Sequence, residues 1–223
     1  NAASTAADPT FGQVKWAFKT LRALVVCSRE LLEDSLNIEK AIEYEVVKGF
    51  AAELDRVSLL GTGAGAQPKG IDNFTNVNSQ SMGVNGAAIT NFTPILDAVK
   101  LMHDDNAEEP TGAIMAPRTY RTIAGFADTT NQPMRRPFTI ENLPFRQTSK
   151  IGIADTQGTS NNASKIFLGD FPQLYWGIRT GIHIFPLQQR YAEYNQIGFL
   201  AVMRADLQPY NEESFAKVVG IIP

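Results

Sequence analysis

The sequence predicts an α+β fold, and three observations carry that prediction. One uninterrupted helical pattern spans residues 38–60 and is the longest in the chain. Short apolar β-type runs crowd the second half, at 166–168, 174–179, 183–186, 197–204 and 215–222. Helical and strand patterns do not alternate one for one, so the rhythm of a doubly wound parallel sheet is missing. With 223 residues the chain forms one large domain or two small ones. Hydrophobic residues at 43% and charged residues at 19% place it among globular proteins.

The elements follow in order. Residues 1–10 are small, polar and Ala-rich, which reads as a flexible segment or loop. Residues 11–26 show partial alternation, with Val14, Trp16 and Phe18 on one side and Lys15 and Lys19 on the other, a strand signal. Trp16 reads as a packing residue. A short amphipathic stretch at 28–34 opens the helical region. Asn37 is the N-cap candidate, since its side-chain oxygen can accept from an orphan N–H in the first turn. Ile38, Ala41, Ile42, Val46, Gly49, Phe50, Leu54 and Val57 then draw one apolar stripe at three- and four-residue spacing. Glu39 and Glu43 suit the positive end of the helix dipole. Gly61 is expected to stop the helix in the left-handed conformation. At about 1.5 Å per residue this helix is roughly 35 Å long, a strut by globular standards.

A glycine-rich, Pro68-containing turn follows, and residues 72–91 carry turn composition without a packed element. Residues 92–106 read as a second helix, with Pro94 in its first turn and Ile95, Leu96, Val99, Leu101 and Met102 as its face. A break at 108–112 leads to a buried strand at 113–116, and Pro117 starts a short helix at 118–127. Residues 133–137 read as an exposed loop, 138–153 as strand, turn and strand with the turn near 142–144, and 156–164 as a polar loop. The strands already named complete the chain, and no internal repeat is visible.

Chemistry is scarce. Gly61, Gly63 and Gly65 invite a phosphate loop, but that motif needs a strand before it and a helix after it. Here the order is helix, glycines, Pro68, and Lys69 is followed by Gly70 rather than Ser or Thr. A helix stop and a tight turn fit better. His103 and His183 are the only histidines. A triad with Asp104 or Asp170 can be written on paper, but no GxSxG elbow supplies a nucleophile, and both histidines read as structural. Asp104, Asp105, Glu108 and Glu109 form an acidic cluster whose spacing fits no Ca²⁺ loop. Cys27 is the single cysteine, so no internal disulfide or cysteine metal cluster forms, and a buried, inert thiol is the default. Arg135-Arg136 reads as surface charge, with phosphate or a neighbouring subunit as the functional alternatives. The net charge of −3 offers no basic field for nucleic acid. No basic stretch with an apolar run opens the chain and no run of about 18 apolar residues occurs, so neither secretion nor a membrane partner is expected. No cofactor and no metal are expected.

A resemblance sharpens this reading. Ser28 to Ser35 (SRELLEDS), the long helix, Gly61-Thr62-Gly63 and then Gln67-Pro68-Lys69-Gly70-Ile71 resemble, in this order and separation, the HK97-like major capsid proteins of tailed phages or prophages. Ala113 to Pro117 resembles the family's strand before a short helix. Gly169-Asp170 resembles its "GD" turn. Met203 to Asp206, followed by Ser214 to Ala216, resembles its C-terminal strands. The resemblance spans almost the whole chain, and it rests on the ordered set rather than on one motif.

It implies an HK97-like capsid fold with the 38–60 helix as the spine of a discontinuous peripheral domain, residues 17–71 and 189–223. Residues 72–188 are then the axial domain, and 1–16 the remnant of an extended E-loop reaching over a neighbour. The family's N-terminal arm and the hairpin's first strand are missing, as expected of a shortened or proteolysed chain; the family's maturation cut normally lies further upstream. Structural roles fall on Asn37, Gly61, Gly63, Pro68, Gly70, Gly169, Asp170 and Arg204. Part of the family forms a Lys–Asn isopeptide cross-link promoted by a Glu. Here the Asn position falls on Asn195 and the Glu position on Val202, so no cross-linking is expected. The implied function is self-assembly, as pentamers and hexamers, into an icosahedral shell around double-stranded DNA touched non-specifically. A scaffold segment or protein and a maturation protease are the implied partners, in the host cytoplasm during assembly and the virion afterwards. Segments 76–86 and 156–164 are expected to absorb the pentamer–hexamer difference. An encapsulin-like compartment is the alternative, and a hydrolase using His103 or His183 a remote one; no enzyme is expected.

Overall fold

The computed structural model describes residues 13–34 and 37–223. In chain order the elements are β1 (Lys19–Ser28), α1 (Arg29–Asp34), α2 (Ile38–Leu60), β2 (Asn78–Ser81), β3 (Ala87–Ala88), α3 (Thr93–Asp104) and β4 (Gly112–Met115). There follow α4 (Pro117–Ala124), β5 (Phe145–Gln147), β6 (Asp155–Gln157), β7 (Ser160–Gly169), β8 (Leu174–Leu187), β9 (Gln196–Pro209) and β10 (Phe215–Ile222). They build two sheets. An antiparallel sheet has the order β1-β9-β8, and a mixed sheet the order β2-β10-β7-β4-β5, with β3 beside β10 and β6 beside β7.

Helix α2 lies along the three-stranded sheet. β1 alternates, and Leu21, Ala23 and Val25 pack with Ala201, Met203 and Ala205 against Val46 and Phe50 of the helix. Only Val46, Phe50, Val57 and Leu59 of its 23 residues are buried, so the strut is covered along one stripe and, at its end, where Leu59 enters another core. Asn37 precedes it differently from expectation. Its φ is 69° and its side chain makes no capping bond; the backbone carbonyl accepts from Ala41 N at 3.1 Å. The position uses the tolerance of Asn for the left-handed region.

β7 runs through the middle of the mixed sheet, and from Ala163 onward it is largely buried on both faces. Ile166 and Leu168 join α3, α4 and Val218 in one core, with Ile95, Val99, Met102 and Ile123. Phe167 points the other way, into a second core with Leu59, Ile71, Leu207 and Phe215. This second core joins the end of the strut to both sheets.

Several expected elements are rearranged. Residues 11–12 lie outside those described, and 13–18 are not a strand. The Asp206 carboxylate accepts from Ala17 N at 2.7 Å, so a side chain replaces the ladder where β1 would continue. The polar stretch 72–91 contains β2 and β3, both parallel to β10, held by backbone bonds that need no apolar side chains. The polar loop 156–164 is the β6–β7 hairpin, turning at Gly158 with φ of 57°. The two segments expected to adapt are also tied together: Asn85 accepts from Thr159 N at 3.1 Å and from Ser160 Oγ at 2.7 Å. In 138–153 one strand forms, β5, parallel to β4, because Ile140 is buried in a 3₁₀ turn before it. The runs 174–179 and 183–186 form one strand, since β9 carries the ladder across irregularities between Ile178 and His183. Sheet membership also does not divide at residue 188. β8 joins β1 and β9, whereas β10 sits inside the mixed sheet.

Candidate functional site

The strut ends in a glycine hairpin. Gly61 closes the helix, donating to Val57 O at 2.9 Å, but its φ of −56° and ψ of 130° are extended rather than left-handed. The chain leaves the helix straight into a return. Gly70 N donates to Gly61 O at 2.8 Å, Gly63 N donates to Pro68 O at 3.2 Å, and Thr62 bridges Lys69. The left-handed positions are Gly63 and Gly65, at φ of 73° and 59°. Gly61 and Gly70 are required for space. A Cβ on Gly61 would lie 2.3 Å from Pro68 O, and one on Gly70 2.3 Å from Val57 O. Asn73 Nδ2 donates to Gly61 O at 2.9 Å, and Lys19 Nζ to Gly65 O at 2.9 Å, fastening the hairpin on both sides. The N–H groups of Gly61, Gly63 and Gly70 are thus spent inside the turn, and none of the three is left to cradle a phosphate.

Immediately beyond the hairpin stands a partly buried ion cluster. Lys165 on β7 and Lys217 on β10 are diagonal neighbours on one face of the antiparallel pair, where two cations alone would repel. Asp72 lies between them, with carboxylate oxygens 2.6 Å from Lys165 Nζ and 3.0 Å from Lys217 Nζ. Lys217 also donates to Asp72 O at 2.5 Å, and Asp155 lies 3.5 Å from Lys165. Burial pushes the Asp72 carboxyl up, but the hydrogen bonds and charges of Lys165 and Lys217 outweigh it and hold it below its ordinary value. Burial likewise favours neutral Lys165, and Asp72 and Asp155 override it, raising that lysine. The cluster locks charge in place: the carboxylate that could act as a base is already held by two cations.

A third feature is the turn after β7. A Cβ on Gly169 would lie 2.3 Å from Phe215 Cδ1. Buried Asp170 donates its N–H to Ser214 O at 3.1 Å and accepts from Gln173 N at 3.0 Å through its carbonyl. Arg204 stands on β9 opposite Thr20 and Thr180, and its Nε is buried without a partner among the described residues. Asn195 lies far from the glycine hairpin in sequence, exposed in the turn before β9 at φ of 50°, where its carbonyl accepts from Arg29 N at 3.0 Å. Val202 sits inside β9 opposite Arg22 and His183.

The histidines are apart. His103 is exposed at the end of α3, where Lys100 holds Asp104 at 2.5 Å, and His183 on β8 stacks on Phe185 at 6.3 Å. Cys27 is half-buried rather than fully buried, and desolvation raises its thiol above the ordinary value. Among the described residues no group of three or more His, Cys, Asp or Glu could hold a metal, and no helix is long and apolar enough to cross a membrane. The sequence pointed to the hairpin and to the Gly169 turn, but not to Asp72, Lys165 and Lys217. Their only signal is the β7–β10 pairing, which brings together residues 93 and 145 positions apart from Asp72.

The model of the phage capsid family matches residues 1–220. The chain belongs to the phage capsid family. Solved capsid chains share its fold at low identity. The capsid of an empty GTA particle computed with C5 symmetry is 16% identical, with a TM-score of 0.73 over 98% of this chain and 81% of that one. The capsid of Myoviridae phage XM1 is 14% identical, with a TM-score of 0.67 over 92% and 74%. Mycobacterium phage Ogopogo is 16% identical, with a TM-score of 0.64 over 98% and 82%. No curated protein matches the chain. The α+β, HK97-like fold of this capsid family member therefore places the strut, the hairpin and the ion cluster inside a known shell-building architecture.

Proposed function

We propose that this chain is the major structural subunit of an icosahedral shell, forming pentamers and hexamers around double-stranded DNA. The family match along residues 1–220 carries the reading. Symmetry supplies the physics: one head-to-tail contact closes into a ring when its rotation fits. The strut with the β1-β9-β8 sheet then serves as the peripheral body. The mixed sheet, including β10, serves as the axial body, which moves the proposed boundaries to follow the sheets. Asp72 and the hairpin join the two. The role is mechanical rather than catalytic, with assembly in the host cytoplasm, residence in the virion, and a scaffold and maturation protease as partners. The net charge of −3 suits a wall that touches packed DNA without gripping it.

Nucleic-acid content of purified particles tests the cargo. Double-stranded DNA inside nuclease-treated particles is the expected result; protein cargo without nucleic acid would support the encapsulin-like alternative instead. Cross-linking is absent in this reading. Asn195 occupies the Asn position, but residues 197–204 of β9 contain no carboxylate and Val202 cannot take an amine's proton. Subunits of assembled particles are expected to run as single, unlinked chains on denaturing gels. Covalent ladders that vanish in Asn195→Ala would contradict this.

A further inference from the structure

We infer that the two edges of the mixed sheet bind each other between copies of this chain, the β5 edge of one copy against the β2 edge of the next. The inference rests on the shell-subunit reading and names the surface that would make the ring.

The edges carry opposite charge. Beside β5, Arg136 stacks on Phe145 at 4.1 Å and donates to Leu143 O at 3.2 Å, and Arg146 and Lys150 are exposed. Glu141 neutralises Arg135 at 2.6 Å, Asp55 lines the same depression as Arg146, and Glu53, which Arg56 holds at 2.6 Å, lies in charge range of Lys150, so cations still outnumber anions along this edge. Phe138 projects next to them, 92% exposed. Beside β2, Asp105 accepts from Asn78 Nδ2 at 2.8 Å and Glu212 accepts from Asn76 N at 2.8 Å. Asp104 is adjacent, with Lys100 as its partner. Four strand spacings separate the edges, about 19 Å at roughly 4.8 Å each. They therefore cannot satisfy each other within one molecule.

Direction agrees as well. β5 is parallel to β4, β4 antiparallel to β7, β7 antiparallel to β10, and β10 parallel to β2, so the edge strands run the same way. A head-to-tail repeat brings them together without inverting a copy. Open strand edges are otherwise left exposed to indiscriminate pairing. A second copy is the occupant favoured here because one chain supplies both halves of the complementary pair. Nucleic acid would match the basic edge alone and leave the acidic edge without a partner. Phe138 adds apolar area of the size that dominates interfaces, about 150–250 Å² when buried.

Sedimentation velocity of the full chain tests this, with circular dichroism to verify folding of each variant. Wild-type self-association is expected to weaken about tenfold or more between about 50 and about 500 mM salt, as screening shortens the reach of the charges. Arg146→Glu with Lys150→Glu, and separately Asp104→Lys with Asp105→Lys, should each weaken it by about tenfold or more. Mixing the two variants should restore association, because one then has two acidic edges and the other two basic ones. Phe138→Ser should weaken it at unchanged net charge. Association that ignores both reversals overturns the inference and leaves the shell reading standing. A wild-type chain that stays monomeric at every salt concentration also overturns the inference, whereas the shell reading, which includes a scaffold, is tested separately by the particles that the full-length product forms.

Discussion

Gly70→Ala is expected to destabilise the chain by about 3 kcal/mol or more, as overpacking against rigid neighbours does at its upper end. The added Cβ would meet Val57 O at 2.3 Å, Gly61 N at 2.6 Å and the Leu59 carbonyl carbon at 3.0 Å. All three are backbone atoms at the end of α2, so no side chain can swing aside. The hairpin must open, and the Gly70–Gly61 bond at 2.8 Å goes with it. Gly49→Ala is the natural contrast. Gly49 lies inside α2, and a Cβ added there would have nothing within 4 Å, so alanine should stabilise by about 0.5–1 kcal/mol through helix propensity. Urea melts of the two variants measure the difference. A Gly70→Ala midpoint equal to wild type would show that the hairpin is not the tight joint described.

The second large effect belongs to Asp72. Asp72→Asn removes the anion between two partly buried lysines, leaving Lys165 with Asp155 at 3.5 Å and Lys217 with no carboxylate among the described residues. Breaking such a cluster on one side is expected to cost about 3 kcal/mol. In a chain of this size that lowers the melting midpoint by roughly 6–12 °C. The wild-type pH dependence follows from the same contacts. The folded Asp72 carboxyl is held below its unfolded value of about 3.9, so its stabilisation is complete above that pH and is lost as pH falls further. Folded Lys165 is raised above about 10.4, so its share is complete below that pH and is lost as pH rises through the folded value. Asp72→Asn should flatten the acid limb of the stability curve. An unchanged acid limb with an unchanged midpoint would contradict the cluster's role.

How much of this was legible depended on where the information lay. α2 was readable because its stripe repeats at helical spacing without a breaker, and α3 because Pro94 marks its first turn. β4 and β9 were readable because burial makes them apolar runs. β2 escaped because Asn78, Ser79, Gln80 and Ser81 have no strand composition; their partner, β10, lies more than a hundred residues later and holds them through the backbone. The β6–β7 hairpin escaped because its turn and first pairs, Asp155 to Asn162, are polar, although the two strands are adjacent in sequence. Gly61 was found by its position but not its conformation, since the demand on it is space and comes from Pro68 across the turn. The Asp72 cluster depends wholly on pairing between distant strands, which local spacing does not record.

The most direct test of the account is electron microscopy of particles assembled from the full-length product of this chain's gene. Closed icosahedral shells, with the α2 strut and the β1-β9-β8 sheet in the shell wall and the mixed sheet nearest the five-fold and six-fold centres, are the predicted result. Soluble monomers that hydrolyse a substrate and lose that activity on changing His103 or His183 would contradict it.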